Sequence, residues 1–171
     1  MIRGAWLVLA ALLAGCATAP RPDGATPWTT GRLSVNIAAT PAQTAQSVSA
    51  AFELRGDGDS GELRLNSPLG SRVASARWAP GQALLTTSEG ETAYPDLEAL
   101  SRKALGESLP LAALPDWLAG RPWPGAAHQA RDGGFDQLGW QIDLTRRADG
   151  FVQASRAAAP AVSLRVKLDA S

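Results

Sequence analysis

The feature that most constrains this chain is a period-two alternation of apolar and polar side chains that recurs from residue 28 almost to the end. Leu33, Val35 and Ile37 alternate with Arg32, Ser34 and Asn36; Val48, Ala50, Phe52 and Leu54 alternate with Ser47, Ser49, Glu53 and Arg55. Successive side chains of a strand point to opposite faces, so each run predicts a strand with one buried and one wet face. Leu63 and Leu65 continue the pattern in 62–66, and further strands are predicted over 72–78, 83–87 and 91–93. Trp140, Ile142 and Leu144 predict a later one, followed by 151–155. The clearest is the last, where Val162, Leu164, Val166 and Leu168 alternate with Ser163, Arg165, Lys167 and Asp169. Most links are too short for parallel crossovers, so the expected sheet is an antiparallel meander.

One stretch breaks the alternation. Over 96–104, Leu97, Leu100 and Ala104 fall at helical spacing, with Pro95 suited to a first turn and Gly106 to a C-terminal cap. Leu111, Leu114, Trp117 and Leu118 follow, and Pro115 predicts two short pieces or a helix starting near it. The fold class is therefore mainly β with a few short helices, one curved antiparallel sheet whose concave side the helices cover. About nine or more strands twist and curl. Either the helices and bulky aromatics fill the concavity, or an apolar cavity remains as a ligand site.

The N-terminus is read separately. Residues 1–15 carry Arg3 and then a short apolar run ending in Leu13-Ala14-Gly15-Cys16, the signature of a secretion signal too short to span a bilayer. The last four residues resemble the lipobox of bacterial lipoproteins. That resemblance implies cleavage before Cys16, acylation of Cys16 on sulfur and amine, and, with Ala17 rather than Asp next, residence in the outer membrane. Three acyl chains anchor stably where one binds marginally. Residues 16–27, with Pro20, Pro22, Gly24 and Pro27, read as a lipidated flexible tether, which leaves 28–171 as the folded domain.

Composition narrows the chemistry. Sixteen basic and sixteen acidic residues give no basic surplus for nucleic acid. One Cys and one His exclude an internal disulfide and a protein-built zinc site. There is no Walker motif, and neither Lys103 nor Lys167 follows a Gly. His128 reads as a loop residue without triad or metal partners, 56–61 with Asp57 and Asp59 as a hairpin turn, and Gly133-Gly134 as another turn. Nothing places Asp132, Asp136 and Asp143 together as a carboxylate pair. The Arg residues are scattered rather than blocked, so no polybasic membrane patch is expected. No catalytic residue, metal or cofactor is assigned.

Several motifs, in order, resemble one family. They are Trp28-Thr29-Thr30-Gly31-Arg32-Leu33-Ser34-Val35, Ala51-Phe52, Leu65-Asn66-Ser67-Pro68-Leu69-Gly70-Ser71, Leu105-Gly106-Glu107-Ser108-Leu109-Pro110-Leu111, Leu114-Pro115-Asp116-Trp117-Leu118-Ala119-Gly120-Arg121-Pro122 and Gly139-Trp140-Gln141-Ile142. With the lipobox, they resemble the LolB family of outer-membrane lipoprotein receptors. The resemblance implies an open half-barrel like that of the carrier LolA, with a helical lid over a hydrophobic cavity for the acyl chains of other lipoproteins. It implies a monomeric transfer protein, not an enzyme, whose partners are LolA, acylated cargo and outer-membrane phospholipid. In the family a Leu in the loop matching Pro68-Leu69-Gly70 protrudes and is needed for membrane insertion, and the match here is Leu69. Inward-facing Leu33, Val35, Phe52, Leu65, Trp78, Trp117 and Trp140 are expected to form the cavity wall. The sequence departs from the family at Leu54 and Ala170, where Trp is common. The alternative is a lipid-anchored structural or assembly lipoprotein that binds a protein partner or peptidoglycan, with a filled interior.

Overall fold

A computed structural model describes residues 27–170. The expected signal peptide, Cys16 and all but the last residue of the tether lie outside the described residues.

Eleven strands form one antiparallel sheet. They are β1 (Thr29–Ile37), β2 (Gln46–Gly56), β3 (Gly61–Asn66), β4 (Arg72–Ala79), β5 (Gln82–Thr87), β6 (Gly90–Tyr94), β7 (His128–Arg131), β8 (Gly134–Gln137), β9 (Trp140–Asp143), β10 (Phe151–Arg156) and β11 (Val162–Leu168). Their order is β6-β5-β4-β3-β2-β1-β11-β10-β9-β8-β7, so the first and last strands meet mid-sheet and the sheet stays open at β6 and β7. Two strands were not expected. His128 begins β7 instead of sitting in a loop, and Gly134 begins β8, leaving Gly133 in the turn.

Alternation sets which face is buried. On β1, Leu33, Val35 and Ile37 are buried while Arg32 and Asn36 face water, and the register lays Leu33 opposite Ala50 and Val166. Gly31 is needed where it stands, because a Cβ there would lie 3.0 Å from the Phe52 ring and 2.3 Å from the Lys167 carbonyl oxygen. The turn over 56–61 is an Asx turn, in which the Asp57 carboxylate accepts from the Asp59 and Ser60 amides. On the polar face, Glu62 lies between Arg55 at 2.8 Å and Arg64 at 2.6 Å, and both guanidinium groups stack on Trp28.

Between β6 and β7 the chain forms α1 (Leu97–Leu105), a single 3-10 turn (Leu111–Ala113) and α2 (Leu114–Leu118), the two pieces that Pro115 predicts. The Asp96 carboxylate caps α1 by accepting from the Ala99 amide at 2.7 Å, and Gly106 ends it at φ 72°. Leu97 and Leu100 face inward. Buried Ser101 ties α1 to the following segment, accepting from the Leu109 amide at 3.0 Å. Beyond the helix, Glu107 pairs with Arg156 of β10 at 3.0 Å, fastening the far end of α1 to the sheet. Among the described residues, the hydrogen-bond ladder, both helices and the buried apolar cluster form one sheet-and-helix body.

Candidate lipid-binding cavity and loop

The helices do not fill the concave side. Between them and the sheet lies an apolar cavity of about 330 Å³. Its sheet wall comes from inward positions of neighbouring strands, Leu33 and Val35 of β1, Val48 of β2, Leu63 and Leu65 of β3, and Leu164 of β11. Leu100, Leu105 and Leu111 close it from the helical side, and Trp117 and Trp140 line it with ring centroids 6.1 Å apart. The polar side chains on this wall are hydroxyls, Ser75, Thr87 and Ser101. With no charged group to desolvate or pair, this surface suits a long apolar ligand whose burial is non-directional.

Five of the seven residues expected in the wall line the cavity: Leu33, Val35, Leu65, Trp117 and Trp140. Phe52 and Trp78 do not. Phe52, 1% exposed, fills the space over Gly31. Trp78 packs against Gly61 and donates its indole N–H to the Asp57 carbonyl at 2.9 Å. Both point inward, as alternation requires, but neither lines the cavity.

The β3–β4 hairpin contributes Leu65, Val73 and Ala74 to the cavity lining. At its tip Leu69 is 94% exposed, held out by a turn in which the Gly70 amide donates to the Ser67 carbonyl at 2.9 Å and Gly70 takes φ 84°. A second apolar side chain stands nearby. The β3–β4 register skips Val73, so that Leu65 faces Ala74 and Asn66 faces Arg72. This bulge leaves Val73 49% exposed on the cavity lining. Leu69 and Val73 therefore belong to one hairpin, Leu69 exposed at its tip and Val73 exposed on the cavity lining. Alternation alone misses Val73, because its exposure depends on the bulge.

Gln137 was also missed. It is 3% exposed, and its side chain uses its whole hydrogen-bonding capacity. Its oxygen accepts from the Trp117 indole at 2.8 Å and the Trp123 amide at 2.9 Å, while its nitrogen donates to the Trp123 and Ala126 carbonyls, each at 2.8 Å. This fixes Trp117, a cavity wall residue, against β8. His128 contacts the Phe135 ring edge-on, and Asp136 pairs with Arg131. Among the described residues no group of three or more His, Cys, Asp or Glu side chains has a metal-binding arrangement, and no helix is long and apolar enough to cross a membrane.

The comparisons with known proteins agree on one family. The model of the family described as "Outer membrane lipoprotein LolB" matches residues 27–170. The outer-membrane lipoprotein LolB of Bordetella pertussis is 37% identical over 153 residues, covering 81% of this chain and 75% of its own. That of Chromobacterium violaceum is 36% identical over 160 residues, covering 87% and 86%. That of Dechloromonas aromatica is 31% identical over 157 residues, covering 84% and 81%. An open antiparallel sheet under short helices, an apolar cavity between them and a family match across the whole described domain lead to one conclusion: the chain belongs to the LolB family of outer-membrane lipoproteins.

Proposed function

We propose that this protein receives lipoproteins from the periplasmic carrier LolA, takes their acyl chains into the cavity, and passes them into the outer membrane through the hairpin bearing Leu69. Cys16, acylated, anchors it to the periplasmic face of that membrane as a monomer. It acts by transfer and catalyses no reaction. The observation that carries this reading is the apolar cavity, free of charged side chains, between sheet and helices. Acyl chains exposed to water are penalised by about 0.8 kcal/mol per CH₂, so cargo moves mouth to mouth and the transfer runs down a gradient of affinity. At about 330 Å³ the cavity is at the small end of ligand pockets, roughly 300–1,000 Å³. Taking up a triacylated cargo is therefore accompanied by movement of the helical segments that cover the cavity. Pro68, Leu69 and Gly70 form the membrane-insertion loop, the rigid turn residues presenting the Leu.

The test is saturable binding of a fluorescent fatty acid to the lipid-free domain, competed by acylated cargo peptide. Absence of saturable binding overturns the cavity reading. In the native bacterium, depletion is expected to leave lipoprotein–carrier complexes accumulating in the periplasm.

A further inference from the structure

Positive charges scattered along the sequence are gathered by the fold onto the outer face of the sheet. The β1–β11 register sets Arg32 directly opposite Lys167, and Arg165 lies two residues further along the same face of β11. Like charges directly opposite across a ladder are destabilising, so stability alone does not account for this pairing. These three cations and Arg146 line a groove of about 750 Å³ whose lining includes no carboxylate. Among the described residues, Arg32 and Arg165 have no acidic partner within ion-pair distance, whereas Arg146 reaches Asp149 at 3.4 Å. Lys167 and Arg146 both stack on the Phe151 ring, at 4.4 and 4.2 Å. Pro68 and Gly70, the residues flanking Leu69, also line the groove.

We propose that this groove binds the phosphate-bearing headgroup of an anionic phospholipid and so seats the domain on the bilayer beside Leu69. The inference rests on reading Leu69 as the residue that enters the membrane. Guanidinium groups pair with phosphate oxygens through paired N–H donors, and an apolar tip next to a cationic groove supplies two separate membrane signals where one is weak. Only a surface that offers phosphates and hydrocarbon together satisfies both.

The test is co-sedimentation of the lipid-free domain, residues 17–171, with vesicles of phosphatidylcholine alone or mixed with phosphatidylglycerol. The unsubstituted domain is expected to prefer the phosphatidylglycerol vesicles. Arg32→Gln with Arg165→Gln lowers partitioning to them about thirty-fold, from the typical contribution of two surface cations, and leaves binding to phosphatidylcholine unchanged. Thermal melting of this variant is expected to be unchanged or raised, since it relieves like-charge crowding. A control that removes two cations elsewhere, Arg77→Gln with Arg102→Gln, is expected to have little effect. An equal loss in the control overturns the proposal in favour of diffuse attraction. Full displacement by inorganic phosphate at constant ionic strength overturns it in favour of a free-anion site. Normal vesicle binding by the groove variant, with impaired receipt of cargo from the carrier, reassigns the groove to a protein partner. Fatty-acid probe binding is measured in parallel. Loss of the probe signal with intact phosphatidylglycerol dependence rejects the cavity and spares the groove.

Discussion

Two side chains show how differently single residues contribute. Leu69 touches little, and Leu69→Glu is expected to change stability by no more than about 0.5 kcal/mol, as surface substitutions usually do. In a reconstituted transfer assay the same variant should accept cargo and fail to insert it into liposomes, and unchanged insertion would remove Leu69 from the mechanism. Gln137 is the reverse case. Gln137→Ala strands the Trp117 indole N–H and three backbone groups, and urea unfolding should show a loss of about 2–4 kcal/mol. Gln137→Glu keeps the acceptor but cannot donate to the two carbonyls, so it should also destabilise. Leu69 was singled out by the family resemblance of the Pro68-Leu69-Gly70 loop, and its exposure is what that resemblance implies. Gln137 was not, because its partners lie 11 to 20 residues away and a polar side chain at an inward position gives no hydrophobic signal of its own.

At the scale of elements, the helical lid is set by its ends. Asp96→Ala removes the N-cap bond of α1 and should cost about 1 kcal/mol, with faster amide exchange in α1 than in β1. On the other face of the sheet, burial alone would raise the Glu62 pKa, but hydrogen bonds from Arg64 and Arg55 outweigh it and hold the carboxyl below its usual range. A folded pKa below the unfolded one, about 4.3, contributes stability above that value and loses it as pH falls through the folded pKa. Asp143 acts with the same sign, its carboxylate accepting from the Thr145 hydroxyl and amide. Stability is therefore expected to decline below about pH 4, and Glu62→Gln should make that decline shallower in denaturant titrations at stepped pH. Alternation and capping residues made nine strands and both helices readable. β7 escaped because His128, Gln129, Ala130 and Arg131 are all exposed, and β8 because its two buried positions are Phe135 and the polar Gln137, which leaves one apolar residue and no alternation of apolar with polar. Phe52 and Trp78 show a related limit: alternation tells which face a side chain takes, but not where along that face a void lies.

For the whole molecule, function rests on space left unfilled. Val48→Trp places an indole in the cavity from the β2 wall. Overpacking should cost about 1–3 kcal/mol, while fatty-acid binding weakens or loses stoichiometry; binding as before would mean that the chains sit elsewhere. The pairing of the first strand with the last at mid-sheet, where the Asp169 amide donates to the Thr30 carbonyl at 3.0 Å, also has a kinetic consequence. β1 through β6 can zip hairpin by hairpin as they emerge, yet the seam between β1 and β11 must wait for the final residues and for closure of a loop spanning nearly the whole domain. Such distant pairing is slow. Until it forms, the apolar faces of both half-sheets stay uncovered, so the newly made chain is most exposed to aggregation just before its last strand arrives.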